Sequence, residues 1–189
     1  VIHGPNHSGG TKTLNINRST KEAVQAIPLK SGEIVPTLDQ YLEQGKKDPK
    51  TKLIIEIKSH ATPERETRVV KNILAAVKQH KMRKHVEYIA FSKHVCDELV
   101  KYAPKGTKIA YLSGNLTPQQ CKDAGYTGID YNIGVMQKNP DWIKQCHDLG
   151  LTVNIWTVND TQRIQWCIDN KADYITTDNP IETNRLLGK

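Results

Sequence analysis

From Lys52 to the end of the chain, short runs of β-branched and aliphatic residues alternate with longer stretches in which apolar positions recur three and four apart. The first run, "KLIIEIK", holds Leu53, Ile54, Ile55 and Ile57, and its length and residue types predict a strand. Thr62 and Pro63 then supply an N-cap and a first-turn proline, and Val69, Val70, Ile73, Leu74 and Val77 keep helical spacing. Glu64 and Glu66 early in that helix and Lys78 and Lys81 near its end suit the helix dipole.

Five more strand–helix units follow. "VEYIAF" precedes a helix from about Lys93 to Tyr102, "KIAYL" one after Thr117 and Pro118, and "GIDYN" one beginning near Pro140. "LTVNIWTV" precedes a helix after Asn159 and Asp160, and "DYITT" one after Asn179 and Pro180. Strands separated by helices pair in parallel through right-handed crossovers, which defines an α/β fold. An open doubly wound sheet and a closed barrel both fit that alternation. Thr152, Asn154 and Trp156 lie opposite Leu151, Val153 and Ile155, as suits strands whose inner, partly polar face ends at a ligand mouth.

Residues 1–51 lack this regularity. "VIH" resembles a strand end, "GPNHSGG" is turn-rich, "STKEAVQA" is a candidate short helix after Ser19 or Thr20, and "VPTLDQYLEQG" is a Thr37-capped helix. The expectation is one domain over 1–189, with 1–51 a loop-rich approach and 52–189 the six units.

Composition adds limits. The chain has 189 residues, 37% hydrophobic and 25% charged, an ordinary globular balance. The net charge of +7 is spread along the helices without a basic block or a nucleic-acid motif, so no nucleic-acid partner is expected. No apolar run approaches the roughly 18 residues of a membrane span, so no stable membrane insertion is expected. Val1 is not an initiator methionine, and the chain is expected to lack its true beginning. Cys96, Cys121, Cys146 and Cys167 have no metal-ligand spacing and fall in different predicted helices, where each reads as a small buried hydrophobe.

The chemistry starts at Glu56 and Lys58. Alternation puts both on the face of Ile54, roughly 6.5 Å apart, while Leu53, Ile55 and Ile57 take the other. Charges buried in a strand cost several kcal/mol unless partnered. From these residues alone, a mutual salt bridge, a strand end in water and a pair of ligand-binding groups all stay open.

"VIH", "VPTLDQYLEQ", "KLIIEIK", "GLTVNIWTVND" and "YITTDNP", in this order, resemble the glycerophosphodiester phosphodiesterase family. The resemblance implies a (β/α)8 TIM-type barrel with its site at the C-terminal strand ends. It also implies a divalent cation, Ca2+ or Mg2+, held by an E-x-D pair and by the acid of the "EIK" strand. Glu56 matches that last acid and Lys58 the lysine that approaches the substrate phosphate, so neither charge would need the other. His3 matches the histidine of the family's "HD" motif, one of a pair proposed as general acid and base, but Gly4 stands where the family usually has Asp. Trp156 matches a tryptophan at the substrate mouth. His7 is read as a loop histidine. Tyr131 and Ser92 qualify by location only, and His60, His94 and His147 read as helix or loop residues.

No counterpart of the family's "HRG" motif or E-x-D pair precedes "VIH". A closed eightfold barrel needs about 250 residues, so two strand–helix units are expected to be missing from the start of the chain, and the fragment by itself is expected to be inactive. The implied activity is metal-dependent hydrolysis of a small-molecule glycerophosphodiester to sn-glycerol 3-phosphate and an alcohol. The alternatives are a non-catalytic barrel binding a phosphorylated polyol or lipid headgroup, and a related phospholipase. Localisation, cytoplasmic or in the cell envelope, and oligomeric state are not readable.

Overall fold

The strands expected from Lys52 onward form one parallel sheet. The computed structural model describes residues 6–9 and 12–188. The strands are β3 (Leu53–Glu56), β4 (Val86–Ala90), β5 (Ile109–Tyr111), β6 (Gly128–Asn132), β7 (Thr152–Trp156) and β8 (Tyr174–Ile175). They pair in the order β3-β4-β5-β6-β7-β8, every neighbour parallel. A doubly wound sheet reverses its order at a switch point, and this one does not. Successive right-handed crossovers in one direction place every helix on the same side and leave the other side as an inner face, which is a half-barrel.

Burial separates the two faces. Val86, Tyr88, Ala90, Ile129, Tyr131, Val153 and Ile155 point to the helices and are buried. They meet Val70 and Val77 of α3 (Pro63–Gln79), Val95 and Leu99 of α4 (Lys93–Tyr102), and Ile143 of α7 (Asp141–Asp148). Cys96, Cys121, Cys146 and Cys167 are buried free thiols in this layer, as expected. Tyr131, considered for the site by location, is a core residue: its hydroxyl donates to the Leu116 carbonyl at 2.9 Å. On the inner face Gly128 is required by space. A Cβ there would overlap the Thr152 hydroxyl and lie 2.8 Å from the Thr152 carbonyl oxygen.

The helix starts follow their caps. Thr62, Ser92 and Thr117 side chains accept from backbone N–H groups three residues on, opening α3, α4 and α5 (Pro118–Asp123). Asp160 and Asn179 do the same for α8 (Thr161–Asp169) and α9 (Pro180–Leu186). A further helix, α6 (Ile133–Lys138), forms directly after β6 because the Asn132 side chain accepts from the Gly134 N–H at 2.8 Å.

The N-terminal region corrects one expectation. The turn-rich stretch contains a hairpin, β1 (Asn6–Gly9) against β2 (Lys12–Asn15), antiparallel with His7 opposite Leu14. His7 is therefore a strand residue, not a loop one. It is 3% exposed, and its Nε2 donates to the Ile27 carbonyl at 2.7 Å. Gly9 lets the hairpin approach the same segment, since a Cβ would sit 2.6 Å from Ile27 Cγ2. "VIH", with His3, lies outside the described residues. The short α1 (Lys21–Gln25) is capped by Thr20, and α2 (Leu38–Gly45) opens with a Thr37–Gln40 capping box.

His80, at the C-terminal end of α3, clamps α2. Its Nε2 is 2.8 Å from Asp39 Oδ1 and its Nδ1 2.6 Å from Glu43 Oε1. The hydrogen bond to Asp39, then that to Glu43, raises its pKa above the ordinary 6.5. A raised folded pKa gives stability that is fully present below the unfolded value and lost as pH rises through the folded one. The gap in urea midpoint between wild type and His80→Gln should therefore be larger at about pH 5.5 than at about pH 9. Equal gaps would show that the clamp carries no charge.

Candidate active site

Strand β3 delivers Glu56 at its C-terminal end, and the ladder runs one residue further, with the Ile57 N–H donating to the Ile89 carbonyl at 3.0 Å. Ile57 is buried in the outer core, so Glu56 and Lys58 on either side of it face inward with Ile54. Lys58 Nζ donates to Glu56 Oε1 at 2.6 Å, with side-chain exposures of 48% and 24%. The two charges satisfy one another here. A half-exposed ion pair is worth only about 0–1 kcal/mol, so either partner gives it up readily for a stronger one. Among the described residues, Glu56 Oε2 makes no hydrogen bond.

Opposite them stands β7. Trp156 Nε1 donates to the Asp130 carbonyl at 2.8 Å, which fixes the indole across β6. Phe91, just beyond β4, meets the indole edge to face with ring centroids 5.6 Å apart. The two rings make an apolar wall on the same half-barrel mouth as the charged pair. Below Trp156, the Asn154 amide and the Thr176 hydroxyl bond each other at 3.0 Å.

Two acids that the sequence did not assign to the site bear on it, one on the inner face and one on α3. Asp130, in the middle of β6 and in register with Asn154, is 1% exposed, and its Oδ1 has no hydrogen-bond partner among the described residues. Burial pushes its carboxyl up to about 7; the Asn154 amide pulls it down, and the charge of Glu56 pushes it further up. Glu56 and Asp130 therefore share one electrostatic environment. The signal was the one that marked Glu56, a carboxylate inside a strand, but "GIDYN" offers only Ile129 and Tyr131 as apolar flanks.

Glu66 is the second. It was expected to serve the α3 dipole, yet it is buried and accepts from the His60 N–H at 3.0 Å and from the Ser92 hydroxyl at 2.8 Å. It thereby ties the loop after Lys58 to the cap of α4, next to Phe91. On the far side, Asn159 Oδ1 accepts from the Asp178 N–H at 2.8 Å and Asn159 Nδ2 donates to Asp178 Oδ2 at 2.7 Å, joining the loops after β7 and β8. The "TVND" and "TTDNP" motifs are held together by these contacts.

The other histidines lie apart from this cluster or serve packing. His94 Nε2 contacts Thr67 Oγ1 at 3.2 Å, and His147 contacts Asp173 at 3.0 Å. His60 sits in the loop after Lys58 with its pKa lowered, by burial first and then by the charge of Arg65. Among the described residues no group of three His, Cys, Asp or Glu side chains converges to hold a metal ion, and no helix is long and apolar enough to cross a membrane.

The family model described as the Glycerophosphoryl diester phosphodiesterase family matches residues 10–182. A glycerophosphodiester phosphodiesterase from Parabacteroides distasonis is 41% identical with a TM-score of 0.90, the match covering 92% of this chain and 73% of that one. A glycerophosphodiester phosphodiesterase from Agrobacterium tumefaciens is 19% identical, with a TM-score of 0.75 over 96% of this chain and 78% of that one. An Oleispira antarctica phosphodiesterase in complex with the product sn-glycerol-3-phosphate is 13% identical, with a TM-score of 0.80 over 100% of this chain and 78% of that one. The last two likenesses establish the fold alone. Among curated proteins, none matches.

The raised pKa of Asp130 has a stability consequence. Between the ordinary 3.8 and about 7, the folded state keeps a proton that the unfolded state has released, so stability falls as pH rises through that window. Asp130→Asn should match wild type near pH 4 and exceed it above pH 7 by on the order of 3–4 kcal/mol, read from urea unfolding. A variant equally or less stable at high pH would mean that the carboxylate is well partnered.

Proposed function

The chain belongs to the glycerophosphoryl diester phosphodiesterase family, and on that footing we propose that its site cleaves a glycerophosphodiester to sn-glycerol 3-phosphate and an alcohol with the help of a divalent cation. The observation that carries this reading is the Glu56–Lys58 pair, bonded at 2.6 Å on the inner face of a half-barrel and at the C-terminal end of its strand. Enzymes of this architecture do their chemistry at that end. The finer reading includes closure of the half-barrel by two further strand–helix units that bring an E-x-D pair and a second histidine.

Each residue has a physical task. A phosphodiester carries one negative charge, and attack on phosphorus builds more on its equatorial oxygens. Lys58 exchanges its contact with Glu56 for a charge-assisted hydrogen bond to one of those oxygens. Trp156 and Phe91 cover the carbon skeleton and keep water from that side of the phosphorus. His3, with an imidazole that titrates near neutrality, takes the proton of the attacking hydroxyl or returns one to the leaving oxygen.

The residues present fit a hard cation in kind. Glu56 Oε2 is uncommitted among the described residues, and carboxylate oxygens are the preferred ligands of Ca2+ and Mg2+. Glu56 would hold the ion, and the remaining acids would come from outside the described residues. When bound, such an ion supplies a positive charge that polarises the phosphoryl oxygens. Loss of Lys58 from Glu56 leaves that carboxylate free for the role.

The test is release of sn-glycerol 3-phosphate from glycerophosphocholine by the full-length protein with Ca2+ or Mg2+. Lys58→Ala and Glu56→Gln should each lower kcat by about 10²–10³ while the circular dichroism spectrum is unchanged, and chelation by EDTA should abolish turnover. Binding of the diester without release of product would instead favour a non-catalytic headgroup-binding role. Full turnover in both variants would remove the pair from the chemistry.

A further inference from the structure

We propose that the face below β3, β4 and β5, at the end of the half-barrel opposite the mouth, docks on the surface of an anionic phospholipid bilayer. The cations of three neighbouring loops form it. The choice of partner rests in part on the phosphodiesterase reading; the charged face itself does not.

Along the chain the 27 Lys and Arg residues look scattered, but the fold gathers nine of them. The segments leading into β3, β4 and β5 all enter the sheet at its N-terminal edge, and parallel pairing sets them side by side. Residues 46–52 bring Lys46, Lys47, Lys50 and Lys52, residues 80–85 bring Lys81, Arg83 and Lys84, and residues 103–108 bring Lys105 and Lys108. All nine are exposed, and Asp48 is the one acid in these segments. Asp48 is taken up by its own turn, accepting from the Lys50 N–H at 3.0 Å and from the Thr51 hydroxyl. Lys46 pairs with Glu43; the other eight form no ion pair among the described residues.

Contacts join the three loops into one surface. Lys52 Nζ donates to the Lys84 carbonyl at 2.6 Å. A cleft of about 370 Å³ between the first two loops is lined by Lys46, Pro49, His80, Lys81 and His85, and one of about 170 Å³ between the second and third by Arg83, Tyr102, Pro104 and Thr107. Tyr102 is 38% exposed, with Lys71 Nζ 4.4 Å and Lys101 Nζ 4.9 Å from its ring centre. A tyrosine among lysines suits a headgroup layer, where the ring sits at the apolar boundary and the ammonium groups meet phosphates.

Neither helix dipoles nor general basicity accounts for the patch. A macrodipole favours cations within the last turn, whereas Lys50, Lys52, Lys84, Lys105 and Lys108 lie beyond the ends of α2, α3 and α4. General basicity would spread the excess over the surface. Instead the approaches to β6, β7 and β8 carry Asp123, Asp148, Asp169 and Asp173, and the mouth segments 57–61, 112–117, 157–160 and 176–179 hold Lys58 as their one Lys or Arg. Eight of the nine gathered cations are lysines, point charges that attract phosphate without the planar fork that reads bases, which favours a lipid surface over a nucleic acid. Glycerophosphodiesters are what remains of phospholipids once the acyl chains are removed. Docked by this face, the enzyme meets its substrate where it is released and keeps its mouth toward water.

The test is co-sedimentation of the full-length protein with vesicles of phosphatidylcholine containing about a third phosphatidylglycerol, at roughly 0.1 M salt. Wild type should bind these, leave pure phosphatidylcholine vesicles, and come off as salt is raised. Each cation at such a surface is worth about fivefold in partitioning, so the triple variant Lys50→Glu, Lys84→Glu, Lys105→Glu should bind about a hundredfold less or weaker still, with its circular dichroism spectrum unchanged. A second triple variant, Lys12→Glu, Lys21→Glu, Lys138→Glu, changes the net charge equally outside the three segments and should keep most of the binding. No binding by wild type, or equal losses in the two variants, would overturn the assignment. Tighter binding of wild type to a DNA duplex than to the anionic vesicles would overturn it too and give the patch to a nucleic acid. Failure of the phosphodiesterase reading shows separately, as no product from glycerophosphocholine while vesicle binding persists.

Discussion

Everything at the mouth of this half-barrel depends on how a carboxylate and an ammonium are accommodated on the inner face of β3. Alternation along the strand forces Glu56 and Lys58 to the same side, and the one-directional sheet order gives that side a lumen in place of a helix layer. Under a helix, the pair would carry the desolvation cost of a buried salt bridge. At 24% and 48% exposure it is a weak contact instead, worth about 0–1 kcal/mol. Weakness is what makes it useful, because a phosphodiester oxygen and a cation each offer a stronger partner than the two residues offer one another.

The outer layer supplies the rigidity that such a weak pair lacks. Ile57, between the two charges, is locked into the helix-facing core, so the backbone under Glu56 and Lys58 is fixed even while their side chains are free to exchange partners. Glu66 then ties the loop beyond Lys58 to Ser92, and the Asn159–Asp178 contacts join the loops of β7 and β8. The aromatic wall of Phe91 and Trp156 sits between these two fastenings, anchored through the Asp130 carbonyl. The site is therefore a set of loosely satisfied charges held by firmly satisfied loops.

Five of the six strand–helix units were readable because local signals and tertiary structure agree there: Thr62, Ser92, Thr117, Asp160 and Asn179 cap the helices that follow those strands. Glu56 and Lys58 were readable because charges interrupt an otherwise apolar run. The hairpin of β1 and β2 was not, since "NHSG" and "KTLN" have no apolar alternation, and its support comes from Ile27 and Pro28 nearly twenty residues away. Glu66 looked like a first-turn acid because its partners, His60 and Ser92, meet it only in three dimensions. Asp130 escaped notice because Gly128 and Asn132, its neighbours on the inner face, make "GIDYN" resemble a strand running into a turn.

The account is tested most directly by a crystal structure of the full-length protein with sn-glycerol 3-phosphate and Ca2+ bound. The prediction is that Lys58 Nζ lies within hydrogen-bonding distance of a phosphate oxygen and has left its 2.6 Å contact with Glu56, whose carboxylate faces the ion. An intact Glu56–Lys58 bond, with the ligand bound elsewhere, would contradict it.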